Sequence, residues 1–398
     1  MNILQAKAET LALAEAGNAV ILSSGSGLGK SSIAYSIFEE LRDRDAPKGI
    51  RWGFCTFFAA TQTPSDILGL QFKGERKFVV GQKPKLDDNG QPKLDDKGEP
   101  MMEDVVRSVT VSDPAVPLWM LTTDGIPGFL YDRIFLLIDE YGQGDGETKR
   151  SIAEIFLNGG TPPWYLPKGS VRVACTNSGA RYGVTKDFDF AIARRTVIEI
   201  EGDIDITLRY LDKPYEHQGK MWQTTPIVKA WAAANPTIVF EAEPKEQGPW
   251  CNPRQLCAVD RYLQTKWAMQ GNQDIDPTMT NVVAGTIGMA ATQSLLSHLE
   301  FLTQLPSYAD VVADPANTPV PQRADLLMLM AYQLAGYTQV KDLAPCIQYI
   351  QRLPKDMGVT YISSLLRRDY KGIIGQPAMQ AWINKNAALV SIIASLAN

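Results

Sequence analysis

The stretch Ser24-Gly25-Ser26-Gly27-Leu28-Gly29-Lys30-Ser31-Ser32 lies between an apolar run at residues 20–23, which predicts a strand, and a helix-like run at residues 33–41. Its glycines allow the backbone to approach a phosphate closely, and the first amides of the following helix would point toward that phosphate. Lys30 adds a positive charge, and the Ser31 hydroxyl is suited to hold Mg²⁺. Ser24 stands where the pattern G-x-x-x-x-G-K-[ST] has its first glycine. We therefore expect residues 25–32 to form a phosphate-binding loop with one departure from the usual pattern.

A second informative run, residues 134–138, is wholly apolar and ends in Asp139 and Glu140. Such a run is typical of a parallel strand buried on both faces, and it would deliver the two carboxylates to the edge of the sheet where ligands bind. Asp139 is then expected to hold hydrated Mg²⁺, and Glu140 to orient and deprotonate an attacking water. The alternative is a strand that merely meets a charged turn. The phosphate loop upstream favours the catalytic interpretation.

Asn177 follows another strand-like run, residues 171–176, and is placed to help position that water. Asparagine is also common in turns, and Thr176 is the neighbouring candidate for the same role. The strand-end position after the strand that carries Asp139 favours a functional Asn177.

Three arginines are further candidates. Arg194 and Arg195 end a helix-like stretch at residues 187–193, from which a guanidinium could reach the γ-phosphate held by a neighbouring subunit. A solvated arginine pair is the alternative, and the spacing alone does not separate the two. Arg254 follows Pro253 at a predicted helix start, a position from which it can point toward phosphate.

The order of the elements predicts the fold class. Strand-like runs at residues 20–23, 52–58, 134–138, 171–176 and 196–200 alternate with helical stretches or loops, which indicates a three-layer αβα P-loop core around a parallel sheet. Beyond residue 201 strands become scarce. Helical patterns recur there at residues 226–234, 252–269, 280–302, 323–335, 347–353 and 379–396. We expect a core at residues 1–202, an all-α lid at 203–270 and a helical C-terminal extension at 271–398.

An insertion at about residues 71–112 interrupts the predicted core. It contains an eight-residue tandem repeat, P-K-L-D-D-N-G-Q at residues 84–91 followed by P-K-L-D-D-K-G-E at residues 92–99. Turn-forming residues in each copy and strand-like flanks at 77–81 and 105–111 are compatible with an exposed hairpin arm. A solvated linker fits the composition equally well. The spacing of the aspartates does not match a calcium-binding loop.

The composition restricts the class of protein. The length of 398 residues suggests two or three domains, and the net charge of −5 gives no overall footprint for nucleic acid. Five scattered cysteines without a C-x-x-C pair predict reduced thiols and a cytoplasmic location. With only two histidines, a histidine zinc site and a Ser-His-Asp centre are disfavoured. No signal peptide and no apolar run long enough to span a bilayer is apparent, so we expect a soluble chain.

These motifs stand in the order of an AAA+ ATPase, and the chain resembles the MoxR family in particular. The segment T-Q-T-P-S-D-I-L-G at residues 61–69 is similar to that family's T-x-x-x-P-S-D-I-x-G, and Asn252-Pro253-Arg254 is similar to its S-P-R motif. The resemblance covers roughly residues 15–265, and residues 270–398 lie outside it. The insertion resembles an extended form of the helix-2 insert of this clade, which in relatives faces a central pore.

The resemblance implies roles for individual residues. Lys30 and Ser31 would bind the phosphates of ATP and Mg²⁺, Asp139 and Glu140 would form the Walker B pair, and Asn177 would be sensor 1. Arg195 would be the arginine finger, with Arg194 in contention because Thr196 replaces the aromatic residue found in relatives, and Arg254 would be sensor 2. Members commonly form hexameric rings and remodel protein partners with a von Willebrand factor A-type domain. These expectations are taken from the family.

Three functions remain open at the level of the sequence. The first is a ring ATPase that remodels a protein client. The second is a nucleic-acid motor or clamp-loader-like ATPase acting on DNA, which would require a channel lined with Lys and Arg. The third is a scaffold that binds ATP without hydrolysis, and the presence of Glu140 argues against it.

Overall fold

The computed structural model describes residues 1–177, 196–240 and 248–386, except for the side chains of residues 111–113 and 302–303. The chain forms two compact units. One comprises Lys7–Ser23 and Ser31–Ile198, and we call it the αβ unit. The other comprises Met1–Ala6, Ser24–Lys30 and Glu199–Asn398, and we call it the helical unit.

The described strands are β1 (Val20–Ser24), β2 (Trp52–Phe58), β3 (Gln71–Pro84), β4 (Met102–Pro114), β5 (Arg133–Asp139), β6 (Gly160–Thr161), β7 (Trp164–Tyr165), β8 (Val171–Asn177), β9 (Thr196–Glu199), β10 (Tyr215–His217) and β11 (Lys220–Trp222). The described helices of the first half are α1 (Ile3–Glu15), α2 (Lys30–Asp45), α3 (Pro64–Leu68) and α4 (Gly146–Asn158). Those of the second half are α5 (Ile204–Asp212), α6 (Pro226–Ala234), α7 (Pro236–Val239), α8 (Pro253–Gln270), α9 (Pro277–Ile287), α10 (Met289–Glu300), α11 (Tyr308–Ala313), α12 (Ala324–Tyr337), α13 (Leu343–Ile350), α14 (Lys355–Arg368), α15 (Tyr370–Ile373) and α16 (Pro377–Lys385).

The central sheet has five strands in the order β2-β5-β8-β1-β9. β5 pairs in parallel with β2 on one side and with β8 on the other. β5 is buried along residues 134–138, as its continuous apolar sequence predicts for a central strand. The predicted fold class is confirmed, namely a three-layer αβα core with a parallel sheet followed by helical segments. Because β5 and β8 are parallel neighbours, their carboxyl ends lie at the same edge of the sheet.

The insertion forms a long hairpin. Of the two interpretations of its sequence, a hairpin arm and a solvated linker, the hairpin arm is the one observed. β3 and β4 pair antiparallel from Gln71↔Pro114 to Pro84↔Met102, with an irregularity between Val79 and Gly81. Most of its side chains are exposed, including apolar ones such as Phe72 and Val79. The predicted strands at 77–81 and 105–111 are therefore parts of a longer ribbon, which we call the arm (residues 71–114).

The tandem repeat forms the tip of the arm, and each copy closes its own turn. Gly90 N donates to Asp87 O and Gly98 N donates to Asp95 O, both at 3.0 Å. The two copies are joined by a cycle of three backbone hydrogen bonds, each 2.7 Å long: Lys85 N to Met101 O, Lys93 N to Lys85 O, and Met101 N to Lys93 O. The eight-residue spacing thus gives a tip with three equivalent positions.

The described residues of the helical unit include two clusters of buried apolar side chains. One extends from Leu208 to Tyr332 and includes residues on both sides of residue 270. The other extends from Val311 to Trp382. No helix among residues 1–177, 196–240 and 248–386 has the length and apolar character needed to cross a membrane.

The prediction of one continuous helix at residues 280–302 is wrong. Residues 280–302 form two helices, α9 and α10, because Gly288 between them has φ of +85°. A Cβ at that position would lie 2.9 Å from the backbone oxygen of Pro249, so the chain turns where a side chain would not fit.

Other helix boundaries differ by a few residues. The helix predicted at 347–353 is observed as α13, which begins earlier, at Leu343, and ends at Ile350, so Leu353 lies beyond its end. The helix predicted at 379–396 is observed as α16 as far as Lys385, and residues 387–396 lie outside the described residues. The predicted helix at 187–193 also lies outside them.

Candidate nucleotide-binding site

The loop after β1 has the backbone conformation that its glycines predict. Gly27 has φ of +80° and Gly29 has φ of +83°, values that side chains rarely tolerate. Gly25, Ser26 and Leu28 are partly exposed, and α2 begins at Lys30. Ser31 and Ser32 therefore belong to the first turn of this helix, with Ser32 exposed.

Lys30 folds back over its own loop. Its ammonium donates to the Ser24 hydroxyl at 2.9 Å, to the Gly25 carbonyl at 3.0 Å and to the Ser24 carbonyl at 3.3 Å. Both Lys30 and Ser24 are buried. The serine that departs from the expected glycine pattern is therefore a direct hydrogen-bond partner of the loop lysine.

Within the αβ unit, Ser31 and Asp139 are in contact although 108 positions separate them in the chain. The Ser31 hydroxyl donates to Asp139 Oδ2 at 2.7 Å. The other carboxylate oxygen, Asp139 Oδ1, accepts from the backbone N–H of Glu140 at 2.9 Å. A hydroxyl and a carboxylate oxygen at this distance are suitable ligands for one hard divalent cation.

Glu140 has a left-handed backbone with φ of 52° and ψ of 34°. Such a conformation costs roughly 1–2 kcal/mol for a residue with a Cβ. It stops β5 at Asp139 and directs the chain into a turn at Tyr141–Gln143. No sequence pattern indicates this strain, because glutamate has no preference for the left-handed region.

Asn177 is the last residue of β8, which pairs with β5 from Phe135↔Val171 to Ile138↔Ala174. Since parallel strands end at one edge of a sheet, Asn177 lies at the edge that carries Asp139 and Glu140. Thr176, the alternative candidate, is buried and its hydroxyl donates to the Asn177 carbonyl at 3.4 Å.

Arg254 is the second residue of α8, and its side chain is exposed. The helix begins as predicted, with Pro253 in its first turn and Asn252 as its N-cap, whose side chain accepts from Gln255 N at 3.0 Å. Within the helical unit, the same Asn252 side chain contacts the phosphate loop. A Cβ added at Gly27 would lie 2.5 Å from Asn252 Oδ1.

The contact between Gly27 and Asn252 was not predicted from the sequence. The only signal was that both residues belong to motifs assigned to the same ligand. Arg194 and Arg195, the two finger candidates, lie outside the described residues.

The residues present fit a nucleotide and Mg²⁺. In the helical unit, residues 24–30 supply the left-handed glycines and the lysine that phosphate groups require. In the αβ unit, Ser31 and Asp139 supply oxygen ligands of the kind that Mg²⁺ binds.

No protein-family model matches the chain. No curated protein matches it by sequence.

Among solved structures, a mutant of Thermotoga maritima RuvB has 10% identity and a TM-score of 0.33, over 79% of this chain and 75% of that one. The Aeropyrum pernix ORC1 protein in complex with DNA has 13% identity and a TM-score of 0.38, over 90% of this chain and 84% of that one. Brucella abortus NtrX in complex with ADP has 15% identity and a TM-score of 0.33, over 99% of this chain and 68% of that one.

Proposed function

We propose that this chain is an AAA+ ATPase that hydrolyses ATP to ADP and phosphate with Mg²⁺ as cofactor. The observation that carries the proposal is the hydrogen bond of 2.7 Å between Ser31 and Asp139. It joins the residue after the loop lysine to the carboxylate at the end of the central strand, which is the arrangement needed to hold one cation beside a phosphate.

Each residue then has a definite task. The loop amides and Lys30 bind the phosphates, while Ser31 and Asp139 hold the cation, whose charge supports displacement at the γ-phosphate. Glu140 orients a water molecule and accepts its proton. Asn177, or Thr176 beside it, helps to orient that water from the adjacent strand. The left-handed backbone of Glu140 fixes the direction in which its side chain leaves the sheet edge.

We further propose the finer assignment to a MoxR-like ATPase acting as a hexameric ring. Arg195, or Arg194, would serve a neighbouring subunit as the arginine finger, and Arg254 would act as sensor 2. The contact of Asn252 with Gly27 supports this role for Arg254, since it places the start of α8 beside the phosphate loop within one unit. The client would be a protein, with a von Willebrand factor A-type domain as the first candidate.

In this proposal the chain consists of a core at residues 1–202, a lid at 203–270 and a C-terminal extension at 271–398. The five cysteines are buried free thiols, which supports the proposed cytoplasmic location.

A nucleic-acid motor is less well supported. The arm carries eight basic and nine acidic residues, and so has a net charge of −1. A ribbon that follows a phosphate backbone would be expected to carry a clear excess of Lys and Arg. The arm therefore suits a protein partner better than DNA.

The proposed function is tested by Glu140→Gln. Loss of the base is expected to lower turnover by about 10²–10⁴-fold while ATP still binds, because the phosphate and cation ligands remain. Steady-state ATPase assays and equilibrium binding of a fluorescent ATP analogue measure the two effects. Glu147→Gln is the matched control, since Glu147 is an exposed acidic residue in the first turn of α4.

Unchanged turnover in Glu140→Gln would refute the catalytic assignment. Absence of ATP binding by the unmodified chain would refute the proposed function as a whole. A pull-down with the Glu140→Gln chain then identifies the client, and recovery of nucleic acid in place of protein would favour the motor.

A further inference from the structure

The hydrogen bonds of Lys30 point to a role for Ser24, the residue that departs from the phosphate-loop pattern. An ammonium has three donors. In this structure three oxygens of the loop lie within hydrogen-bond distance of Lys30 Nζ, and two of them belong to Ser24. A phosphate oxygen that approaches Lys30 therefore competes with these partners for the ammonium donors.

The three acceptors differ in how easily they can be replaced. The two carbonyls belong to the backbone, that of Ser24 to the last residue of β1 and that of Gly25 to the residue after it, so they move only if the backbone moves. The Ser24 hydroxyl can turn away by rotation about a single bond. After it turns away from Lys30, the hydroxyl can still donate to the Gly25 carbonyl, to which it donates at 2.7 Å in this structure.

Burial makes this exchange significant for affinity. Ser24 is 3% exposed and Lys30 is 8% exposed, so water has little access to replace a lost partner. Hydrogen bonds to charged groups are also stronger than those between neutral groups. The usual pattern has a glycine at position 24. With glycine there, Lys30 would lose the hydroxyl acceptor and keep both carbonyl acceptors.

We propose that Ser24 is a positioning residue that holds Lys30 in the loop before a nucleotide binds and that a phosphate oxygen displaces its hydroxyl from the lysine. This inference rests on the proposed ATPase function, because it assigns a phosphate ligand to Lys30. Its consequence is that Ser24 weakens nucleotide affinity relative to a loop that has no hydroxyl at this position.

The test is a set of substitutions at residue 24 in the full-length Glu140→Gln chain, which separates binding from turnover. Ser24→Ala removes only the hydroxyl, and Ser24→Gly restores the usual pattern. Both are expected to bind Mg·ATP about threefold to tenfold more tightly, because the free state loses a hydrogen bond to a charged group that the bound state does not have. Isothermal titration calorimetry measures the dissociation constants.

Two further variants separate this role from a general effect on the strand. Ser24→Thr keeps a hydroxyl and is expected to bind within twofold of the Ser24 chain. Ser23→Ala removes a hydroxyl from the preceding buried position of β1 and is expected to leave the affinity unchanged. In the chain with Glu140 intact, Ser24→Ala should lower KM for ATP with little change in kcat, because only the free state is affected.

The results distinguish this inference from the proposed function. Tighter binding by Ser24→Ala and Ser24→Gly, with Ser24→Thr close to the reference, supports the role of the hydroxyl. Equal or weaker binding by Ser24→Ala overturns this inference while the ATPase proposal stands. If the reference chain binds no nucleotide at all, both are overturned.

Discussion

At the scale of single residues, Gly27 is the position where the phosphate loop is most tightly constrained. Its φ of +80° already disfavours any side chain. Asn252 adds a second constraint, because its Oδ1 would lie 2.5 Å from a Cβ at this position while it also caps α8. One glycine thus meets both the backbone requirement of the loop and the close approach of a helix from a distant part of the chain.

Gly27→Ala is expected to lower the free energy of unfolding by about 2 kcal/mol or more, because a strained backbone and a steric conflict add together. It should also weaken ATP binding. Gly271→Ala is the matched control, since Gly271 has φ of +73° in the same unit and nothing within 4 Å of its Cβ position. The control should show the backbone cost alone, roughly 1–2 kcal/mol. Urea denaturation measures both.

Asn252→Ser in the Gly27→Ala background shortens the side chain that would collide and keeps a capping group. Partial recovery of stability is expected. If Gly27→Ala and Gly271→Ala cost the same amount, the Asn252 contact does not constrain the loop.

At the scale of elements, a buried cluster of charges joins three helices of the helical unit. Asp212 at the end of α5 accepts from Lys229 of α6 at 3.1 Å and from Arg367 of α14 at 2.9 Å. The Ser364 hydroxyl also donates to its carboxylate. Asp212 and Lys229 are almost completely buried, and burial lowers the pKa of Lys229 despite its partner. The cluster therefore has one anion that several donors share.

Asp212→Ala is expected to destabilise the helical unit by about 3–5 kcal/mol, because Lys229 and Arg367 would both remain buried without their carboxylate. Lys229→Met should cost much less, since Arg367 and Ser364 still satisfy Asp212 and the methionine fills similar space. Thermal denaturation followed by circular dichroism compares the two variants. An equal loss of stability would mean that packing, and not the shared anion, determines the effect.

At the scale of the whole molecule, the proposed site requires two copies of the chain, because the arginine finger would come from a neighbour. Mixed assemblies test this requirement. Glu140→Gln lacks its own base but can still supply Arg195, whereas Arg195→Ala keeps Glu140 but supplies no finger. Each variant alone is expected to be nearly inactive, with a loss of about 10³-fold or more for the finger. A mixture of the two should recover turnover.

The control is a mixture of Arg195→Ala with the double variant Glu140→Gln/Arg195→Ala, which contributes neither group and should recover nothing. ATPase assays at a constant total concentration give the comparison. If Arg195→Ala alone keeps normal turnover, while Arg194→Ala alone loses it and regains it in the mixture with Glu140→Gln, the finger is Arg194. No recovery in any mixture would argue against a shared site.

Much of the fold could be predicted because its signals are local. The continuous apolar run of β5, the glycines of the phosphate loop and the proline at the start of α8 each determine the conformation of their own segment. The break at Gly288 was missed because the apolar pattern continues across it, whereas the reason for the turn is the backbone of Pro249 nearby in space.

The sequence by itself determined the phosphate-loop motif, the αβα core and the pair Asp139–Glu140, since these depend on residue type and short spacing. Only the tertiary structure decided which distant residues meet. It brings Ser31 to Asp139, places Asn252 against Gly27 and gathers Lys229 and Arg367 around Asp212. The physical reason is that such contacts depend on how whole elements pack, and no local pattern in the chain records that packing.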